Sequence, residues 1–272
     1  MNHDDLSKLV KRSGFLFQLS VEEHVRNTSG THEWEVLARE YPWSTRDGTR
    51  GGFIDYVVGR DVLRAVVECK RTQGGEWIFL VPEPAAETFN LRVLWAFLAR
   101  DRTVGIGWDD FLVDPATICS EFCILRGASD DDRPMLERIA ADLVRASESL
   151  AREELAMGGR HRGQSVYIPV IVTNATLYAC RVDPGDVDLT SGTVPTSARF
   201  EEVGAVRFRK SLPSEVQHDP GTYTSLSEGI KMKERSAVVV NVAHLSKWLA
   251  AVRERPRSPL DFSGHPWAHL DT

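Results

Sequence analysis

Cysteine is scarce in this chain. Its 272 residues include four, Cys69, Cys119, Cys123 and Cys180. None stands in a Cys-x-x-Cys pair, and none has histidine close behind it at zinc-finger spacing. A disulfide framework and a cysteine-built zinc site are therefore not expected. The four read as reduced thiols, mostly in the core, as in a cytosolic protein. Long apolar runs are missing too. Nothing approaches the roughly 20 residues that a membrane-spanning helix needs, and the opening MNHDDLSKLVKR lacks the apolar stretch of a signal peptide. The expected location is the cytoplasm, with no membrane partner. An excess of positive charge is also absent: 33 Lys and Arg against 39 Asp and Glu give a net charge of -6. That is not the balance of a protein that coats nucleic acid in bulk, although local basic contacts remain compatible with it. No Walker loop, GxSxG elbow or dinucleotide fingerprint occurs, and Val104-Gly105-Ile106-Gly107 is too sparse to stand for one. A self-contained motor or a hydride-transfer enzyme is not expected. There is no internal repeat and no low-complexity segment.

What is present is an ordinary globular composition, 42% hydrophobic and 26% charged, long enough to bury a core without staples. Residues 5–13 suit a short amphipathic helix stopping at Gly14, and FLFQLSVEEHVRN a second, with Phe17, Val21 and Val25 on one face. Residues 33–41 alternate as a half-buried strand does. After the turn-rich PWSTRDGTRGG, the runs FIDYVVG and VLRAVVECKR read as a β-hairpin, and EWIFLVPE as a further strand. Residues 87–100 look helical, 117–127 look like a strand, and 133–156 form the strongest helical pattern, a candidate interface or lid. SVYIPVIVTN and ATLYACRV read as two adjacent strands with a turn near Asn174. VGAVRFRK follows, and RSAVVVNVAHLSKWLAAVRE reads as a buried strand leading into a helix. The expectation is α/β with a central mixed sheet flanked by helices. The organisation expected is a single domain over 1–255 with a helical or irregular insertion at about 85–160. A Pro-rich tail over 256–272 follows.

The segment that carries chemistry is GGFIDYVVGRDVLRAVVECKRTQGGEWIF. Strand alternation puts Phe53, Asp55 and Val57 on one face, and Val66, Glu68 and Lys70 on one face of the partner strand. Hairpin pairing then brings two carboxylates and one amine together at the end of an apolar hairpin. Burying such charges unpaired costs several kcal/mol per ion. A divalent cation resolves the conflict, because Mg²⁺ takes one or two carboxylates together with water and phosphate oxygens. The same spacing also suits a plain hairpin with a surface Asp and a Glu–Lys pair. Cys69, between Glu68 and Lys70, is expected to face the core and to be chemically silent.

Helix, Asp55 strand and Glu68-Cys69-Lys70 strand, in that order, resemble the PD-(D/E)XK (restriction-endonuclease-like) nuclease superfamily, above all its stand-alone bacterial restriction and resolvase-type members. The likeness covers residues 13–80, with ECKRTQGGEWIF similar to members where E-x-K precedes a Trp-containing strand. YIPVIVTNATLY and RSAVVVNVAHLSKWL are looser matches. The resemblance implies a restriction-endonuclease-like fold and a Mg²⁺ (or Mn²⁺) site with Asp55 and Glu68 as metal ligands and Lys70 as the catalytic lysine. It also implies DNA as substrate and a homodimer or a subunit of a defence complex. One position departs: many relatives carry Glu near where this chain has Gln18, and Glu22, one turn later, could take its place.

Around this set, Arg46 and Arg50 could grip DNA phosphates, and Arg71 and Gln73 could extend a phosphate track. Each is also compatible with ordinary solvated charge. Arg160, His161 and Arg162 form a basic, Gly-flanked loop better read as solvated. Trp34, Trp43, Trp77 and Trp95 are core candidates, and His24 and His32 surface histidines. The function expected is a metal-dependent endodeoxyribonuclease, in bacterial defence, restriction or DNA processing. The rivals are a catalytically silent nuclease-like module that binds nucleic acid or protein, and an α/β protein of other function.

Overall fold

The computed structural model describes residues 3–72, 75–98, 104–125, 135–157, 163–216 and 223–254. The order is α1 (His3–Ser13), α2 (Phe15–His32), β1 (Glu35–Ser44), β2 (Gly51–Arg60), β3 (Leu63–Lys70), β4 (Glu76–Pro82), β5 (Thr88–Leu98), β6 (Val104–Ser120) and β7 (Phe122–Leu125). Then come α3 (Met135–Met157), β8 (Gly163–Thr173), β9 (Thr176–Val182), β10 (Arg199–Val203), β11 (Ala205–Ser211), α4 (Leu226–Lys233), β12 (Glu234–Asn241), α5 (Leu245–Ala251) and β13 (Arg253–Glu254). The protein is mixed α/β with a β-rich core. No helix among the described residues is long and apolar enough to cross a membrane.

The large sheet runs β1-β2-β3-β8-β12-β11-β6-β13, and β5 joins both β6 and β8. Five strands, β5, β6, β11, β12 and β8, therefore close into a barrel. β8 makes this possible by dividing one edge: Gly163–Tyr167 pair with β5, and Val170–Thr173 pair with β12. Its other edge carries β3 in parallel register, and the β2–β3 hairpin and β1 extend outward from there. β4, β7, β9 and β10 make a separate four-stranded sheet.

Two apolar clusters hold the layers. One joins α3 to Ile54, Val57 and Val66, to barrel residues such as Tyr167 and Phe208, and to Trp77 and Phe79 of the small sheet. The other joins Val21 and Val25 of α2, and Leu245, Trp248 and Leu249 of α5, to Tyr56, Val67 and Val170. Trp34 is fully buried in the second cluster, and its indole N–H donates to the Leu249 carbonyl at 2.9 Å.

The expectation of a simple flanked sheet is corrected by the closed barrel. Its cause lies in residues 87–100, expected as a helix and found as strand β5. Leu91, Val93, Leu94 and Ala96 are all buried, and they divide between the two clusters. A strand buried on both faces reads as a continuous apolar run, which periodicity cannot separate from a buried helix. The span of about 85–160 thus holds β5, β6, β7 and α3. The reading of 133–156 as an interface or lid is also corrected, because Leu136 through Ala151 of α3 supply much of the first cluster. β8 and β9 follow one another across Asn174 but enter different sheets. His32 is buried rather than on the surface, and its Nδ1 accepts the Trp34 main-chain N–H at 3.0 Å. Burial holds its pKa below the usual imidazole value, with the neighbouring His24 and Arg60 adding to the effect.

Candidate active site

The β2–β3 ladder runs from Arg60 opposite Leu63 to Tyr56 opposite Val67, and ends there. The next position sets Asp55 across from Glu68, where the backbones no longer pair. Asp55 Oδ2 takes over as acceptor for the Cys69 main-chain N–H at 2.6 Å. On the other side, Arg39 pairs with Tyr56 and Tyr41 with Ile54, so Glu40 lies opposite Asp55. Glu40, Asp55 and Glu68 thus form a row of carboxylates across β1, β2 and β3. Glu40 has a positive φ of 48°, close after a register shift between Val36 and Ala38.

On β3 the alternation holds. Val67 and Cys69 pack on the α2 side, whereas Val66, Glu68 and Lys70 turn towards α3. On β2 it does not. Ile54 and Val57 pack into the same cluster, and Tyr56 goes to the other. Ile54 thus joins Val57 instead of Tyr56, and the alternation of β2 is interrupted between Ile54 and Tyr56, beside the irregular stretch of β1.

Glu68 and Lys70 line a cleft of about 420 Å³. Trp43 and residues Gly51, Gly52, Phe53 and Ile54 form one wall, and Met135, Arg138, Ile139 and Asp142 of α3 form the other. Glycine is required at 51, since a Cβ there would meet the Trp43 carbonyl oxygen at 2.8 Å. Lys70 Nζ lies 3.5 Å from Glu68 Oε1.

Burial raises the Glu68 pKa to about 7. The Asp55 charge adds to this and Asp142 contributes further, while Lys70 opposes it. Burial raises Asp55 as well, with the Cys69 N–H opposing, Glu40 reinforcing and Lys70 opposing. The Cys69 thiol is held well above its ordinary value by burial and by the same two carboxylates, which agrees with a silent thiol.

The other sequence-derived residues separate into those at the cleft and those away from it. Arg50 reaches the rim, with Nη1 3.6 Å from Asp142 Oδ1. The turn that presents it is fixed by Asp47, which accepts from the Thr45 hydroxyl at 2.6 Å and from the Thr49 N–H at 3.0 Å. Arg46, in the same turn, donates its main-chain N–H to Glu215 at 2.9 Å. Arg71 is exposed just past β3, and Gln73 lies outside the described residues. Glu22 is buried on α2 and committed to Arg26 at 2.6 Å, with Arg39 at 3.9 Å. Gln18 donates its side-chain amide to Glu40, the outer member of the carboxylate row.

Glu40, Arg138 and Asp142 were not among the sequence candidates. Glu40 depends on the register of β1 and had no signal of its own. Arg138 and Asp142 did have one, since they stand four apart on α3 within a stripe that includes Met135, Ile139 and Leu143.

Among the described residues, no group of three or more His, Cys, Asp or Glu is arranged to hold a metal. Asp55 and Glu68 offer hard oxygen donors from two side chains. That number suits a hexaaqua-type ion such as Mg²⁺, which keeps several waters and shares substrate phosphate oxygens. It does not suit a closed structural zinc site. No family profile matches the sequence, and comparisons with curated proteins and with solved structures give no significant match.

Proposed function

We propose that this chain is a Mg²⁺- or Mn²⁺-dependent endonuclease of the PD-(D/E)XK, restriction-endonuclease-like kind, hydrolysing DNA phosphodiesters in bacterial defence or DNA processing. The observation that carries the reading is the splayed end of the β2–β3 hairpin. There Asp55 lies across from Glu68, and Lys70 stands 3.5 Å from Glu68 in an open cleft. The antiparallel β2–β3 pair, continued in parallel by β8 and β12 with helices against both faces, supports the same reading.

Asp55 and Glu68 would hold the ion, which supplies charge to polarise the scissile phosphate and to acidify a water. Glu68, shielded from bulk water and next to a like charge, has reason to accept a cation. Lys70, on the same face as Glu68, is placed to orient the attacking water or to stabilise charge building on the phosphoryl oxygens. Arg138 and Arg50, at the α3 side and the rim, would hold flanking phosphates. Cleavage of supercoiled plasmid and single-stranded DNA with Mg²⁺ or Mn²⁺, against Glu68→Ala and Lys70→Ala, tests this. The expected result is cutting by the wild type alone. Equal cutting by both variants would overturn it.

A second reading, a catalytically silent nucleic-acid or protein-binding module, draws on one observation. At the two helix positions expected to reach the metal, no free carboxylate is offered, because Gln18 is spent on Glu40 and Glu22 on arginines. Metal binding lost in Glu68→Ala, without any cleavage by the wild type, would favour it.

A further inference from the structure

The cleft is apolar where a phosphate site alone has no need of it. Besides Glu68 and Lys70 it is lined by Trp43, Phe53 and Ile54 on the β2 side and by Met135, Ile139 and Leu143 on α3. Trp43, Ile54 and Leu143 are buried, whereas Phe53 is 61% exposed. Gly51 and Gly52 precede it in the same wall. A Cβ at position 52 would lie 3.3 Å from the Trp43 indole nitrogen, so the wall carries no side chain up to the Phe53 ring. Phe53 is two residues from Asp55 on β2, about 6–7 Å along a strand. An aromatic ring left open to water inside a cleft, beside a site for charged groups, is a surface for a flat apolar partner.

The class of substrate follows from what a DNA strand can offer there. A duplex presents phosphates and sugars to a surface that meets its backbone, and keeps the faces of its bases inside the stack. Its scissile phosphate brings no apolar surface to the Phe53 wall. An unpaired strand can turn a base aside, and every base has a π-face to lay on an aromatic ring. At about 420 Å³ the cleft is of the size that takes one small-molecule-sized group, such as a single splayed nucleotide. Lys70 and Arg138 line the same cleft and Arg50 stands at its rim. Cations along the backbone together with an aromatic platform are the combination by which proteins hold single strands of any sequence. We infer that the cleft takes single-stranded DNA, with a base beside the scissile phosphate stacked on Phe53, and that Phe53 selects unpaired over paired substrate. The inference rests on the cleavage reading for the position of that phosphate, but the contact with Phe53 needs no cleavage to be measured.

Fluorescence anisotropy of the full chain, with Ca²⁺ in place of Mg²⁺ so that binding is read without cleavage, tests it. The probes are a thymidine oligonucleotide, a blunt duplex of the same length and a base-free abasic strand. The thymidine strand is expected to bind about tenfold tighter than the duplex. Phe53→Ala should weaken that binding about tenfold, with an unchanged melting temperature because the ring is exposed, and Phe53→Tyr should restore it. The abasic strand should bind the wild type and Phe53→Ala alike. Phe53-dependent binding of the single strand by a protein that cuts nothing with Mg²⁺ would support this inference and overturn the cleavage reading. Cleavage of duplex and single strand at equal rates, indifferent to Phe53→Ala, would leave the cleavage reading standing and overturn this inference. So would a duplex bound as tightly as the single strand, an abasic strand that loses as much affinity on Phe53→Ala as the thymidine strand does, or no binding of any of the three probes.

Discussion

Asp55 accepts the main-chain N–H of Cys69 at 2.6 Å, at the position where the two strands of the hairpin stop pairing. The carboxylate therefore closes the ladder and also stands beside Glu68. These roles separate on substitution. Asp55→Asn keeps an acceptor for the N–H and removes the charge. It is expected to lose cleavage and the stabilisation by Mg²⁺ while melting within about 1 kcal/mol of the wild type. Asp55→Ala leaves the N–H without its partner and is expected to cost about 1–3 kcal/mol besides. Thermal unfolding with and without Mg²⁺, beside a plasmid-cleavage assay, checks both. An Asp55→Asn protein that still cuts would remove Asp55 from the site.

Glu68 ties stability to pH in an unusual direction. Its folded pKa, about 7, lies above the ordinary 4.5. Between these values the unfolded chain has released the proton and the folded protein still holds it. The unfolded state then binds fewer protons, so stability falls as pH rises. The loss begins near pH 4.5 and is complete above about pH 7. It amounts to about 3 kcal/mol without divalent ions. Glu68→Gln is expected to flatten that part of the profile and to be the more stable protein at pH 8. Mg²⁺ should recover part of the loss in the wild type alone. Urea titrations from pH 4 to 8 decide it; parallel profiles for the two proteins would contradict the burial of Glu68.

Lys70 and Arg138 face the same cleft from opposite walls and are expected to fail differently. Lys70→Met should cut cleavage by about a hundredfold or more, as loss of a group that acts on the transition state does. The melting shift given by Mg²⁺ should remain. Arg138→Ala should raise KM more than it lowers kcat, and should reduce the slope of log affinity against log salt by about one. Steady-state kinetics at two salt concentrations separate the two. If both variants changed KM alone, Lys70 would be a phosphate contact and nothing more.

The hairpin and its Asp, Glu and Lys were legible because FIDYVVG and VLRAVVECK are apolar strands about a short turn, and register then follows. Alternation told correctly which face of β3 carries Glu68 and Lys70. It failed on β2 at Ile54, which joins the cluster of Val57 close to the positive-φ Glu40 of the neighbouring strand. No local pattern encodes that irregularity, and so Glu40 was missed. β5 was missed because both of its faces are buried. With it went the closure of the barrel, which depends on one strand pairing at both edges. The α3 wall of the cleft was hidden by distance in the chain. Arg138 and Asp142 lie about 70 residues from Glu68, and only the fold brings them together.

Glu148 is a carboxylate that the fold commits to the core. It is fully buried in the middle of α3. Trp108 Nε1 donates to it at 2.6 Å and the Glu215 main-chain N–H at 2.8 Å, and the Ser214 hydroxyl donates as well. Arg235 lies over the Trp108 ring, 5.2 Å from its centroid, and its guanidinium donates to Ser214 Oγ at 3.0 Å. The network joins α3, β6, β12 and the chain after β11, so it holds the helical wall of the cleft against the barrel. Glu148→Ala would strand the indole and amide donors and remove a charge that favours the buried Arg235 guanidinium. It is expected to cost about 3–5 kcal/mol, with cleavage failing through loss of the folded state. Glu148→Gln keeps an acceptor for the indole and is expected to cost less, and Trp108→Phe, which removes one donor, about 1–2 kcal/mol. Because Glu148→Ala and Trp108→Phe each remove the bond that the pair shares, the double variant Glu148→Ala/Trp108→Phe should cost less than the sum of the singles. Strict additivity in urea unfolding would show that the bond contributes nothing to stability, and that α3 is held by its apolar face alone.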